Sequence, residues 1–415
     1  MIEFSRFILG NGLRVIVHQD KSTPLAAMNI LYDVGSRDED AEMTGLAHLF
    51  EHLMYGGSVN IPEYDLPLQL AGGDNNAYTN NDITDYYLTV PSGNIETGFW
   101  LESDRMLGLD FSEKNLGIQK SVVIEEFKQR YLNQPYGDAM LLLRPAAYKV
   151  HPYRWPTIGM DISHIEKADI GHVRDFFFSH YAPENAILTV AGNIEPDNIY
   201  KLANNWFGSI PPRSPVKRDL PREPLQDGER KITVRRKVPA DALYKAWHMG
   251  SRLSEDFHTL DLLTDLLAGG ESGRLYNKLV RDKNLFSEIN AFITSDIDPG
   301  LVIFTGKLMK AIDIFEAESA VIEIIDELKD STVRILELEK VKNKYESTTV
   351  MSNTNVLNKA VNLSYYELLG DPDLMNREVE LFRAVTKEMA RDAAIKYFTP
   401  ENCTTLYYLS ARNDK

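Results

Sequence analysis

The stretch GLAHLFEHLMYGG, residues 45–57, carries two patterns at once. Leu46, Leu49, Phe50, Leu53 and Met54 recur at helical spacing and make an apolar stripe fit for a core. His48, Glu51, His52 and Tyr55 recur at the same spacing on another face. The pattern predicts a helix over Gly45–Met54, with two imidazoles stacked one turn apart and turned away from the core. Two histidines so placed can share one metal ion. Glu51, three residues beyond His48, reaches a water held there without having to be a ligand itself.

The fold follows from the fact that this stretch is written twice. Gly56-Gly57 closes it, and Gly269-Gly270 closes the helical LDLLTDLLA run 213 positions later. Val34-Gly35-Ser36-Arg37 follows an apolar strand, as does Met249-Gly250-Ser251-Arg252, with Gly35 and Gly250 215 positions apart. Arg174-Asp175 and Pro183-Glu184-Asn185 return as Arg391-Asp392 and Pro400-Glu401-Asn402, both 217 positions on. Landmarks in the same order at nearly constant offset imply two homologous domains. Between them, Pro211, Pro212, Pro215, Pro221 and Pro224 preclude helix and central strand and read as an extended linker. The expected division is therefore 1–210, a linker at 211–228, and 229–415.

Phe4–Leu9 and Leu13–His18 flank Asn11-Gly12 and predict a hairpin. Further strands are expected over Ala26–Val34 and Thr84–Val90. Helices are expected over Ile95–Leu107, Ser112–Arg130 and Ile170–His180. Strands and helices mix without regular alternation. The expected class is α+β, each domain an antiparallel sheet packed with helices.

Composition narrows the chemistry. The chain has 415 residues, 43% of them apolar and 26% charged, enough for about two to three domains. No apolar run of about 18 residues is present, so no membrane-spanning helix is expected. The opening MIEFSRFILGNGLRVIV lacks the basic and apolar regions of an export signal, and the expected location is cytoplasmic. A formal net charge of −16 disfavours nucleic acid and anionic membranes, and suits cationic partners or simple solubility. Cys403 is the only cysteine, so any transition metal must be held by histidine and carboxylate.

The duplicate helix sharpens the reading of the first. At the 213-residue offset, His48, Glu51 and His52 correspond to Asp261, Thr264 and Asp265. The apolar pattern survives there without the histidines, so the fold does not require them. A third ligand must be a carboxylate or a distant histidine. In SVVIEEFKQR, Glu126 leaves the helix beside Val122 and Val123, whereas Glu125 sits among polar neighbours. A carboxylate among apolar groups is costly unless paired or metal-bound, which favours Glu126. His18, His151, His164, His172, His180, His248 and His258 are isolated and read as structural or surface residues.

These residues resemble the inverted zinc metallopeptidases of the pitrilysin, insulin-degrading enzyme and mitochondrial processing peptidase family. The likeness runs through NGLRVIV, GLAHLFEHLMYGG, GGDNNAYTNNDITDYY, SVVIEE, GGESGRLYNKLV and the closing TPEN. The spacing matches too, with Glu126 following His52 by 74 positions. The resemblance implies a zinc endopeptidase acting on short or unfolded peptides, with one Zn²⁺ per chain on His48, His52 and Glu126 and Glu51 as general base. It makes 1–210 the catalytic domain and 229–415 a non-metal domain contributing chamber and dimer contacts. It also implies that Asn76 and Ala77 lie on an edge strand that pairs with substrate, and that Lys359 and Tyr366 contact substrate near the cut. Two positions depart from the family pattern: Gln119 stands where a glutamate is common, and Lys359 where arginine is usual.

Family members of this length resemble half of a larger clamshell, which implies a homodimer, or a heterodimer with a homologous inactive chain. The alternative is a non-catalytic or partner-dependent subunit of such a complex. HxxEH also occurs in S-ribosylhomocysteine lyases, against which the duplicated chain counts.

Overall fold

The computed structural model describes residues 1–213, 218–330 and 333–411. Residues 214–217 of the expected linker lie outside the described residues. The chain forms two compact units, each assembled from separated segments. The first comprises Met1–Lys128, Trp155–Leu220 and Val350–Arg377; the second comprises Gln129–Arg154, Pro221–Thr349 and Glu378–Lys415.

The first unit is built on a six-stranded sheet. Its strands are β1 (Ser5–Ile8), β2 (Arg14–Gln19), β3 (Leu25–Tyr32), β4 (Asp74–Thr79), β5 (Thr84–Pro91) and β6 (Ala186–Gly192), in the order β1-β2-β6-β3-β5-β4. The second unit's strands are β7 (Arg230–Arg236), β8 (Ala242–His248), β9 (Phe286–Ile293), β10 (Leu301–Leu308) and β11 (Cys403–Ser410), in the order β7-β11-β8-β10-β9. Setting β1 aside, the two orders are the same, so the duplication read in the sequence is a duplication of topology. The α+β class holds, with one refinement. Each sheet contains one parallel pair, β2 with β6 and β7 with β11, among otherwise antiparallel neighbours. The last strand of each unit enters the sheet after a long connection, which permits parallel pairing.

The expected hairpin is present: β1 and β2 pair antiparallel, Ser5 opposite Val17. Helices occupy Leu46–Leu53, Ile95–Leu107, Glu113–Phe127 and Ile170–His180, as the periodicity predicts.

The compact units do not follow the contiguous division at the proline-rich stretch, and the reason is physical. Strand β3 is buried along seven of its eight residues, so both faces of its sheet need cover. One face carries Ala27, Leu31, Ile187 and Ala191. It is covered by Val356, Ala360 and Leu363 of the helix Val356–Leu368, from late in the chain. The second unit shows the converse. Ala242, Tyr244, Leu406 and Tyr408 are covered by Ala139, Leu143 and Ala147 of the helix Ala139–Ala147, from early in the chain. Each fully buried aliphatic side chain contributes about 1.5–3 kcal/mol, so neither face is stable bare.

Candidate metal centre

The histidine helix begins at Gly45, whose φ of 94° lies in the left-handed region. A Cβ there would lie 2.6 Å from the Ile158 carbonyl oxygen, so only glycine fits the entry. The first turn is tied down by Glu39: the Gly45 and Ala47 N–H groups donate to its two carboxylate oxygens, each at 2.8 Å. Burial pushes the Glu39 carboxyl well above the usual range, while these two amide donors pull it back. Leu46, Leu49, Phe50 and Leu53 are buried, as the apolar stripe requires. Phe50 packs against Phe176, Phe177 and Tyr181.

At the helix end, Gly56 comes so close to Asn115 that a Cβ would lie 2.3 Å from its side-chain amide. This close approach sets the histidine helix beside the helix Glu113–Phe127, whose start is capped by Ser112 Oγ accepting from Asn115 N–H at 3.2 Å.

The two helices bring three side chains together. Ligand atoms of His48, His52 and Glu126 all lie within 4.8 Å of one another. Glu126 Oε2 is 3.6 Å from His48 Nε2 and 3.5 Å from His52 Nε2. The imidazole centroids are 4.9 Å apart with planes at 87°. Bonds of about 2.0–2.2 Å at tetrahedral angles place ligand atoms ~3.3–3.5 Å apart, so the two Glu126–imidazole spacings match those around a zinc ion. Among the described residues no other group of three or more His, Cys, Asp or Glu side chains converges in this way. Val123 is fully buried but Val122 is 45% exposed, so the apolar setting expected for Glu126 is one-sided; Glu125 is exposed. Gln119 lies two turns before Glu126 on the same helix and is partly buried.

Glu51 is positioned by a residue to which the sequence reading gave no role. Thr79 Oγ1, at the end of β4, donates to Glu51 Oε2 at 2.6 Å. Strand β4 is the sheet edge and pairs only with β5, Asn76 opposite Tyr87 and Ala77 opposite Tyr86. By alternation, Ala77 and Thr79 share the face on which the histidine helix packs, and Asn76 points to the other. The Ala77 N–H donates to Asn76 Oδ1 at 2.8 Å, so the Asn76 side chain itself occupies a backbone donor of this edge. The alternation Ala77-x-Thr79 beside HLFEH was the available signal for Thr79. Glu39 had none, because its contact depends on a loop path.

Lys359 and Tyr366 are not brought to the cluster. Their helix, Val356–Leu368, covers the opposite face of the sheet from the histidine helix. Lys359 Nζ is 2.6 Å from Asp20 Oδ2, and this contact holds the Asp20 carboxyl far below its usual range.

The second unit shows what the same framework does without histidines. On the helix Phe257–Ala268, Thr264 stands at the Glu51 position, and its hydroxyl turns back to the Asp261 carbonyl oxygen at 2.8 Å. Asp265 Oδ1 is 2.7 Å from Lys344 Nζ, on the helix Ile335–Ser352. An ammonium thus sits where the first unit offers a metal site. Burial, with Asp265 second, pushes the Asp261 carboxyl up to about 6.

The fold and donor set together define a class: a duplicated α+β framework presenting two histidines and a carboxylate to one point, with a second carboxylate beside them. Comparison with known proteins carries this to a family. The model described as insulinase (peptidase family M16) matches residues 14–159, and the peptidase M16 inactive domain matches residues 167–345. The chain belongs to the M16, or insulinase, family of peptidases. The zinc protease PqqE of Helicobacter pylori is 28% identical over 346 residues, covering 80% of this chain and 76% of that protein. The uncharacterized zinc protease YmxG of Bacillus subtilis is 24% identical over 407 residues, 97% of each chain. Among solved structures, a protease from Helicobacter pylori matches with a TM-score of 0.92 and 26% identity, covering 98% of this chain and 100% of that one. A peptidase M16 inactive domain from Pseudomonas fluorescens shares the fold, with a TM-score of 0.88 at 17% identity and 100% and 99% coverage. Among the described residues no helix is long and apolar enough to cross a membrane.

Proposed function

We propose that the chain is a zinc-dependent endopeptidase for short or unfolded peptides, with His48, His52 and Glu126 as ligands of one zinc per chain. The observation that carries this reading is Glu51: it shares a helix with both histidines and is held by Thr79 at 2.6 Å beside their cluster. Bound zinc supplies a Lewis acid for the scissile carbonyl and makes a water easier to deprotonate. Glu51 takes the proton of the attacking water and passes it to the leaving amine nitrogen. Thr79 holds Oε2 of that carboxylate. An extended substrate adds to the edge of β4, its carbonyl replacing Asn76 Oδ1 on the Ala77 N–H. Main-chain pairing of this kind tolerates many sequences. Lys359 and Tyr366 fit this scheme as contacts offered to a second chain, a copy or a homologue, and Lys359 must then release Asp20.

Gln119 and the Lys359–Asp20 pair favour a second reading, a subunit that binds metal but depends on a partner for turnover. Metal analysis together with hydrolysis of a mixed quenched-peptide set, on purified protein of known oligomeric state, separates the two. The peptidase reading expects one zinc per chain and chelator-sensitive cleavage; zinc without cleavage supports the partner-dependent reading. Glu51→Gln is expected to keep zinc and abolish cleavage, and normal turnover in that variant sinks the mechanism. His52→Ala is expected to lose stoichiometric metal; unchanged content refutes the ligand assignment.

A further inference from the structure

The surface of the first unit carries an open cavity of about 550 Å³ that the peptidase scheme does not use. Its walls come from the loop after the histidine helix (Ser58, Val59, Asn60, Pro62), the segment Leu109–Ser112 that leads into the glutamate helix, and Arg174 of the helix Ile170–His180. None of His48, Glu51, His52 or Glu126 lines it. The loop wall is fixed. Ser58 Oγ and the Asn60 N–H donate to Asp104 Oδ2 at 2.5 and 2.9 Å, and Asn60 Nδ2 donates to Oδ1 at 2.6 Å. The Val59 N–H donates to the Gly108 carbonyl at 3.1 Å, and the Asp110 N–H to that of Gly57 at 3.0 Å.

Two opposite charges line this cavity without pairing. The Arg174 guanidinium lies over the rings of Phe111 and Phe178, 5.3 and 6.0 Å from their centroids, and makes no ion pair among the described residues. Among the described residues, the exposed Asp110 carboxylate accepts only from Ser112 Oγ, at 2.9 Å through Oδ2. Between them stand the apolar Val59, Pro62, Leu109 and Phe111. A guanidinium offers a fork for a carboxylate, an aspartate receives an ammonium, and the volume lies within the range of small-molecule sites. A lone phosphate would gain one cation but face Asp110 and four apolar walls.

We propose that this cavity binds a zwitterionic ligand of the peptide class, an apolar amino acid or dipeptide, its carboxylate on Arg174 and its ammonium on Asp110. Such a ligand would brace both the loop leaving the histidine helix and the entry to the glutamate helix. The proposal does not rest on peptidase activity.

The test is calorimetric titration of the full, chelator-treated chain with Leu-Leu, Leu-Leu amide and N-acetyl-Leu-Leu. Leu-Leu is expected to bind saturably, in the millimolar range or tighter, and each blocked form at least about tenfold more weakly. Arg174→Gln is expected to erase the preference for the free carboxylate, and Asp110→Asn that for the free ammonium. No saturable binding, equal binding of the blocked forms, or unchanged binding in both variants overturns the proposal. Binding that vanishes in His52→Ala also overturns it, by assigning the ligand to the histidine cluster. Should either variant fail to fold, the three ligands on the unaltered chain decide the matter.

Discussion

Glu51 and Thr79 meet at 2.6 Å, and that contact decides where the proposed base points. Thr79→Val keeps the side-chain shape and removes the donor. It is expected to lower kcat about tenfold, equivalent to ~1.4 kcal/mol, with zinc content unchanged. Steady-state kinetics with metal analysis checks this, and an unaltered kcat removes Thr79 from the scheme. Asp261 offers a second test at this scale. Its carboxyl titrates near 6 in the folded chain against an ordinary 3.8, so the native state holds the proton more tightly than the unfolded one. Its contribution is most favourable below about pH 4 and declines as pH rises to about 6. Asp261→Asn is therefore expected to stabilise the chain at pH 7.5, by up to ~3 kcal/mol, and to flatten the pH dependence between 4 and 6. Denaturant unfolding across that range reads both effects.

Among elements, the histidine helix shows what a sequence reveals and what it hides. Its apolar stripe and the convergence of His48 with His52 follow from helical spacing alone. Glu126 was favoured over Glu125 by its neighbours, although Val122 turns out to be exposed and only Val123 supports that argument. Glu39 and Asn115 were illegible because their contacts join segments that local periodicity cannot relate. Glu39→Ala strands two amide donors at the start of a short helix. The expected loss is about 1–3 kcal/mol of stability, with weaker zinc retention in a chelator competition. An unchanged unfolding midpoint would show that the helix entry is held by Gly45 and its surroundings instead.

For the whole molecule, duplication was legible and exchange was not. Constant offsets reveal two homologous halves, but an amphipathic pattern in Val356–Leu368 states only that one face is buried, not which sheet buries it. The exchange predicts that Met1–Ile210 expressed alone, without Val350–Arg377, lacks a cooperative thermal transition. Circular dichroism and limited proteolysis would show this, and a sharp melt of the fragment would refute it.

The exchanged helices also set a timetable. A chain emerging from the ribosome can pair β1 to β6 once about half of it is made, yet one face of that sheet stays wet until Arg377 has emerged. Contacts such as Ala27 with Ala360 close very long loops, and such closures come late in folding. An unfinished polypeptide thus holds its histidines on a half-covered sheet, and the candidate metal site gains its full support only when Val350–Arg377 arrives.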